Sequence, residues 1–162
     1  MNLMMLLEMA SSAFGDRVAI GSKDGSGVSY TTLYENSGRA AQFFRNSSAE
    51  KIAFLDTSSI ALPTALFGSA WAGLPFVPLN YRLTGEEIRE LGSEIAPAIG
   101  VANISMKDAL EGVTEFEAIE REDFLLQTRN GELPDADWGM DPDEIAILLF
   151  TSGTTGDPKA AV

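Results

Sequence analysis

Ile145-Ala146-Ile147-Leu148-Leu149-Phe150 sets six apolar residues in a row, and the next residue begins a stretch of a different kind. A run this rich in isoleucine and leucine predicts a strand covered on both faces, the situation of a parallel sheet flanked by helices. It is followed by Thr151-Ser152-Gly153-Thr154-Thr155-Gly156-Asp157-Pro158-Lys159, where hydroxyls, two glycines and one ammonium crowd together. Glycine admits positive φ, so successive N–H groups can converge on an anion, and hydroxyls add donors without blocking its approach. The pattern predicts a buried strand running into a phosphate-binding loop. Its candidate ligands are Thr151, Ser152, Gly153, Thr154, Thr155, Gly156 and Lys159, the last supplying the compensating charge.

Two rival readings apply to these residues. Gly153 and Lys159 have the separation of a Walker A loop, but Pro158 stands where that motif needs its second glycine and Ala160 where it needs the magnesium-binding hydroxyl. Pro158 also has no N–H to give a phosphate, although it suits the start of a following helix. The other rival is a solvated Gly/Ser/Thr turn with no ligand. The apolar strand in front and Pro158-Lys159 behind weigh against it.

Upstream, strand-like and helix-like segments alternate with no internal repeat. A short amphipathic helix opens the chain. Val18-Ala19-Ile20 and Val28-Ser29-Tyr30, separated by Asp24-Gly25-Ser26-Gly27, predict a small antiparallel hairpin. A helix with Leu33, Ala40, Ala41 and Phe44 on its apolar side follows, capped by Thr31 or by Thr32 with Glu35. Lys51–Leu55 reads as a strand, Asp56-Thr57-Ser58-Ser59 as a capping loop, and the residues up to Ala72 as a buried helix stopped by Gly73. Thr84 and Glu87 spell a capping box for a helix from Gly85 to about Ile95, and Asn80 and Arg82 read as turn and helix-entry residues. Ile99–Ala102 is a further strand, Ser105–Glu111 a short helix, Val113–Phe116 a weak strand and Ile119–Thr128 a helix. The alternation predicts an α/β fold with a mostly parallel sheet flanked by helices and a small N-terminal β-hairpin. Residues 1–129 form an α/β subdomain in this reading, 130–144 an acidic surface linker able to move, and 145–162 the strand and loop of an incomplete larger domain.

The balance of 11 Lys and Arg against 24 Asp and Glu gives a net charge of −13. Nucleic acids and anionic membranes need clustered cations, so neither is an expected partner. With no cysteine and no histidine, thiol chemistry, disulfides and imidazole bases or metal ligands are excluded. The opening Met1–Met9 lacks a basic n-region and is interrupted by Glu8, so it reads as a helix rather than a signal peptide. The apolar stretch from Ile60 to Trp71 is too short to span a membrane. The expected location is the cytoplasm.

Phe150-Thr151-Ser152-Gly153-Thr154-Thr155-Gly156-Asp157-Pro158-Lys159 resembles the signature loop of the AMP-forming acyl-CoA synthetase, peptide-synthetase adenylation-domain and luciferase superfamily, with Ala160 in the usual glycine position. Asp16-Arg17-Val18-Ala19-Ile20 and Val77-Pro78-Leu79-Asn80-Tyr81-Arg82-Leu83-Thr84 are similar to other segments of that family, so the likeness covers essentially the whole chain. Asn80 sits where peptide-synthetase domains more often carry aspartate, which favours the free-standing ligases. The resemblance implies the first part of the large N-terminal domain of the adenylate-forming fold. It also implies a loop holding the β- and γ-phosphates of ATP with Mg2+, a carboxylic acid, fatty or related, as substrate, and CoA as co-substrate. The family's remaining site residues lie downstream of the segment matched here. The 162 residues alone are therefore expected to be inactive and open to self-association, and a non-catalytic α/β binding module is the alternative. CoA ligases, carrier-loading adenylases and aryl ligases share this loop.

Overall fold

The computed structural model describes residues 2–21, 27–139, 143–151 and 159–161. Helix α1 (Met4–Phe14) leads into strands β1 (Val18–Gly21) and β2 (Gly27–Ser29), which pair antiparallel as the predicted hairpin. Helix α2 (Tyr30–Arg45), β3 (Lys51–Leu55), α3 (Ala61–Ala72) and β4 (Phe76–Pro78) follow. Then come α4 (Gly85–Ile95), β5 (Ala98–Ala102), α5 (Ile104–Leu110), β6 (Phe116–Glu120) and α6 (Arg121–Arg129). Short strands β7 (Leu149–Thr151) and β8 (Lys159–Ala161) complete the described chain.

The main sheet has the order β4-β3-β5-β6, with every pairing parallel. Alternation along β3 and β5 sends residues to two separate cores. Ile52, Phe54, Ile99 and Val101 meet Phe44 of α2, Ala61 and Ala65 of α3, and Phe124 and Leu125 of α6. On the other face Ala53, Leu55, Ala98 and Ala102 meet Ile88, Leu91 and Ile95 of α4 and Leu110 of α5. The result is a three-layer α/β arrangement, as the alternating pattern predicted. A third cluster packs α1 onto the outer side of the α2–α3 layer through Met4, Leu7, Leu33, Ala41 and Trp71.

Small residues let α2 and α3 approach closely. Ser37, Ala40 and Ala41 face Thr64, Ala65 and Gly68 as buried positions, and a Cβ added to Gly68 would stand 2.7 Å from the Ala40 Cβ. Helix α3 ends as its sequence predicts, with Gly73 left-handed at φ 76°. The Thr84–Glu87 capping box is also formed. The Thr84 Oγ1 accepts from the Glu87 N–H at 3.3 Å, and the Glu87 carboxylate accepts from the Thr84 N–H at 2.8 Å. Asn80 makes the anticipated turn, its side-chain oxygen accepting from the Arg82 N–H at 3.0 Å.

Three local expectations are corrected. The cap of α2 is Ser29, whose Oγ accepts from the Thr32 N–H at 3.1 Å, and Glu35 pairs with Arg39 instead of closing a box. The hairpin decides this, because the Tyr30 and Thr31 N–H groups donate to the carbonyls of Arg17 and Gly15 and so start the helix earlier. Second, the strand after α5 is Phe116–Glu120 rather than Val113–Phe116, and its helix begins at Arg121. Register with β5, pairing Val101 with Ile119, keeps those residues extended despite their glutamates.

The third correction concerns the apolar run 145–150, which is covered only in part: Ile147, Leu148 and Phe150 are half-buried and none of the run is fully buried. Its backbone joins the outer edge of β4. The Phe76 N–H donates to the Ala146 carbonyl and the Leu148 N–H to the Phe76 carbonyl, both at 2.9 Å. Ile147 packs into the first core, while Leu148 and Phe150 pack into the second. Ile145 and Leu149 stay exposed.

The acidic connection before it runs over the surface, but it is fastened there. Arg39 Nε donates to the Gly131 carbonyl at 3.0 Å, Trp71 Nε1 to the Asp135 carbonyl at 3.3 Å, and Arg45 Nη1 to the Asp137 carboxylate at 2.9 Å. The expectation of a mobile linker rests on six acids, two prolines, two glycines and no base between Asn130 and Glu144. Among the described residues Trp138 packs beside Trp71, and Arg39, Arg45 and Trp71 donate hydrogen bonds to the connection.

Candidate functional site

Parallel strands deliver all their carboxyl ends to one side of a sheet, and in open α/β sheets ligands bind in the crevice outside those ends. Here β3 is followed by Asp56, β5 by Asn103, β6 by Arg121, and the edge segment 146–148 by Leu149–Thr151. The phosphate-loop candidates therefore leave the sheet from the side on which such folds carry chemistry.

Thr151 closes β7 and Lys159 opens β8, and their backbones are paired partners across an antiparallel hairpin. The two flanks of the 152–158 stretch thus stand side by side. Of the predicted ligands, this geometry brings together Thr151 and Lys159. Ser152, Gly153, Thr154, Thr155 and Gly156 lie outside the described residues, as do Asp157 and Pro158. Residues 159–161 are extended, so Pro158 does not introduce the helix that its sequence position suggested.

The other carboxyl ends are tied by a polar knot that the sequence did not reveal. The Asp56 side chain is 2% exposed and accepts from Arg121 Nη1 at 2.8 Å, from Asn103 Nδ2 at 3.4 Å and from the Thr57 N–H at 2.6 Å. Asn103 in turn caps α5, its Oδ1 accepting from the Met106 N–H at 3.1 Å. The Arg121 guanidinium is held above its ordinary pKa, first by its hydrogen bond to Glu122 and then by the charge of Asp56. Asp56 reads locally as one polar residue of a capping loop, since its distant partners stand just after two later strands, Asn103 after β5 and Arg121 after β6. No short-range signal points to Asn103 or Arg121. Every buried member of the knot is partnered: among the described residues no buried side-chain N or O lacks a hydrogen-bond partner. It fixes the ends of β3, β5 and β6 relative to one another.

Among the described residues no group of three or more His, Cys, Asp or Glu gathers where it could hold a metal ion. Among them also, no helix is long and apolar enough to cross a membrane.

Comparison with known proteins gives a consistent picture. The family described as AMP-binding enzyme matches residues 7–162. The chain is 35% identical over 124 residues to an indoleacetate–CoA ligase of Aromatoleum aromaticum, covering 68% of this chain and 24% of the ligase. It is 26% identical over 169 residues to the nonribosomal peptide synthetase SIDC of Beauveria bassiana, covering 98% of this chain and 4% of that protein. Among solved structures, ATP-bound MatB of Rhodopseudomonas palustris superposes with a TM-score of 0.75 at 24% identity, over 99% of this chain and 34% of MatB. This chain therefore spans about a quarter of the length of the CoA ligase it matches.

Proposed function

The chain belongs to the AMP-binding enzyme family of adenylate-forming proteins, and from that premise we propose that it is the N-terminal part of an ATP-dependent acyl-CoA synthetase. In the proposed reaction a carboxylate oxygen attacks the α-phosphorus of ATP, the α–β phosphoanhydride bond breaks, and acyl-AMP and pyrophosphate result. The CoA thiol then attacks the acyl carbonyl, AMP leaves with the bonding electrons, and the thiol proton passes to solvent. Thr151, Ser152, Gly153, Thr154, Thr155, Gly156 and Lys159 hold the β- and γ-phosphates in this proposal and neutralise the leaving pyrophosphate, the electrostatic work such transfers require.

One observation carries the reading: the hydroxyl- and glycine-rich stretch is bracketed by Thr151 and Lys159, which are cross-strand partners at the carboxyl side of a parallel sheet. The ATP in the MatB structure and the CoA ligase among the relatives support the choice of co-substrates. Magnesium would travel with the ATP phosphates and bridge their oxygens. A fatty or related carboxylic acid is the substrate class proposed. The cytoplasm, where ATP and CoA are supplied, is the proposed location.

The test is ATP–pyrophosphate exchange by the complete gene product against a panel of carboxylic acids. Lys159→Ala should lower ATP affinity and the exchange rate by roughly ten- to a thousandfold, the range for removing a charge that faces a transferring phosphate. Exchange at the wild-type rate in that variant removes Lys159 from the site. The peptide-synthetase relative supports a second reading, in which the acyl group goes to the thiol of a carrier protein. Supplying CoA or a phosphopantetheinylated carrier as acceptor separates the two.

A further inference from the structure

The segment that leads into the loop holds its place weakly by itself. It meets β4 through two backbone hydrogen bonds, and Ile145 and Leu149 stay exposed. A strand so placed is poorly protected against slipping along its neighbour, and a slip of one residue would turn Ile147 and Leu148 to each other's core. What precedes it is fastened far more firmly. Arg45 Nη1 reaches both carboxylate oxygens of Asp137, at 2.9 and 3.2 Å, and its Nη2 donates to the Trp71 carbonyl at 2.7 Å. That carbonyl belongs to the last turn of α3, where helical partners run out. Trp138 stands edge-on to Trp71 with ring centres 5.1 Å apart. The Asn2 side chain donates to the carbonyls of Ala70 and Gly139 at 3.1 and 3.0 Å, and to Glu144 Oε2 at 3.4 Å. The strap, residues 131–139, is thus pinned to the end of α3, and the strand lies on β4, which follows α3 directly. Both anchors sit on one continuous piece of the fold.

We propose that this strap sets the register of the 146–150 strand on β4 and so positions the phosphate loop, with Arg45, Trp138 and Asn2 as positioning residues. The proposal rests on reading 151–159 as that loop. The residues sit over a hundred positions upstream or in the acidic connection, and none is needed as a ligand. Arg45 serves because a planar guanidinium can satisfy a carboxylate and a helix-end carbonyl at once, which a lysine ammonium does less well.

Amide hydrogen exchange and MgATP binding on the complete gene product test it. Arg45→Gln, and Trp138→Phe as the milder variant should Trp138→Ala fail to fold, should speed exchange at 146–150 on the order of tenfold, with β3 and β5 unmoved. MgATP affinity should fall by a comparable factor while the melting temperature stays close to wild type, and Arg45→Lys should recover part of both. Unchanged exchange at 146–150, or acceleration spread evenly over the core, overturns the proposal. Faster local exchange with MgATP affinity unmoved by Arg45→Gln also overturns it if Lys159→Ala does lower that affinity. If Lys159→Ala does not lower it either, the phosphate-loop reading is what falls.

Discussion

Replacing Asp56 with alanine removes the acceptor on which three strand ends converge. In the folded protein its carboxylate is buried, with Arg121, Asn103 and the Thr57 N–H all donating to it. Hydrogen bonds to a charged group contribute about 1.5–3 kcal/mol each, and breaking a fully buried pair costs about 3–5 kcal/mol. Arg121 keeps Glu122 at 3.0 Å and its side chain is 30% exposed, so solvent and that second carboxylate recover part of the loss. The expected destabilisation is therefore about 2–3 kcal/mol, or roughly 4–12 °C in melting temperature for a chain of this size. Thermal unfolding followed by circular dichroism and urea titration would measure it. Because much of the cost is a stranded guanidinium, adding Arg121→Ala to Asp56→Ala should restore about 1 kcal/mol. A melting shift below about 1 °C for Asp56→Ala would refute the knot as a structural tie. A strictly additive double variant would refute the stranded-charge account.

Further outcomes follow from the same geometry. Gly68→Ala should destabilise by about 1–2 kcal/mol, since overpacking against Ala40 and the Ser37 carbonyl outweighs the helix propensity gained; a urea midpoint at or above wild type would contradict the close approach of α2 and α3. Asp137 is held below its ordinary value of 3.8, first by the Arg45 hydrogen bond, and Glu87 below 4.5, first by the Thr84 N–H. A carboxylate depressed by folding stabilises fully above its unfolded value and loses that contribution as pH falls through its folded value. Exchange at the strap and the first turn of α4 should therefore rise below the ordinary carboxylate range, and Asp137→Asn should abolish the strap's share; loosening as pH rises would contradict both assignments.

The elements that local chemistry specifies were readable from the sequence. Lys51–Leu55 is a strand with the predicted bounds, α4 begins at its capping box, and α3 stops at the one residue able to go left-handed after Ala72. Misreadings occur where a sequence-distant partner decides. Ser29 became a cap because Gly15 and Arg17 offer carbonyls to the next two N–H groups, and Ile119 is extended because β5 lies beside it. The site divides in the same way. The hydroxyl and glycine run is a local signal, and the pairing of Thr151 with Lys159 agrees with a loop between them. The Asp56 knot and the strap were invisible, because each joins residues whose short-range neighbours give no hint of one another.

The seat of the loop strand has a consequence in time. Phe76 is synthesised long before Ile147, so as the chain leaves the ribosome the β3–α3–β4 unit can assemble while the outer edge of β4 still has no occupant. Parallel pairing between residues this far apart forms late, after local contacts, because closing the intervening chain must come first. Until then the nascent protein presents a bare strand edge to its neighbours, a vulnerable interval for any chain. Folding yield during synthesis should therefore depend on how quickly the residues after Gly139 arrive.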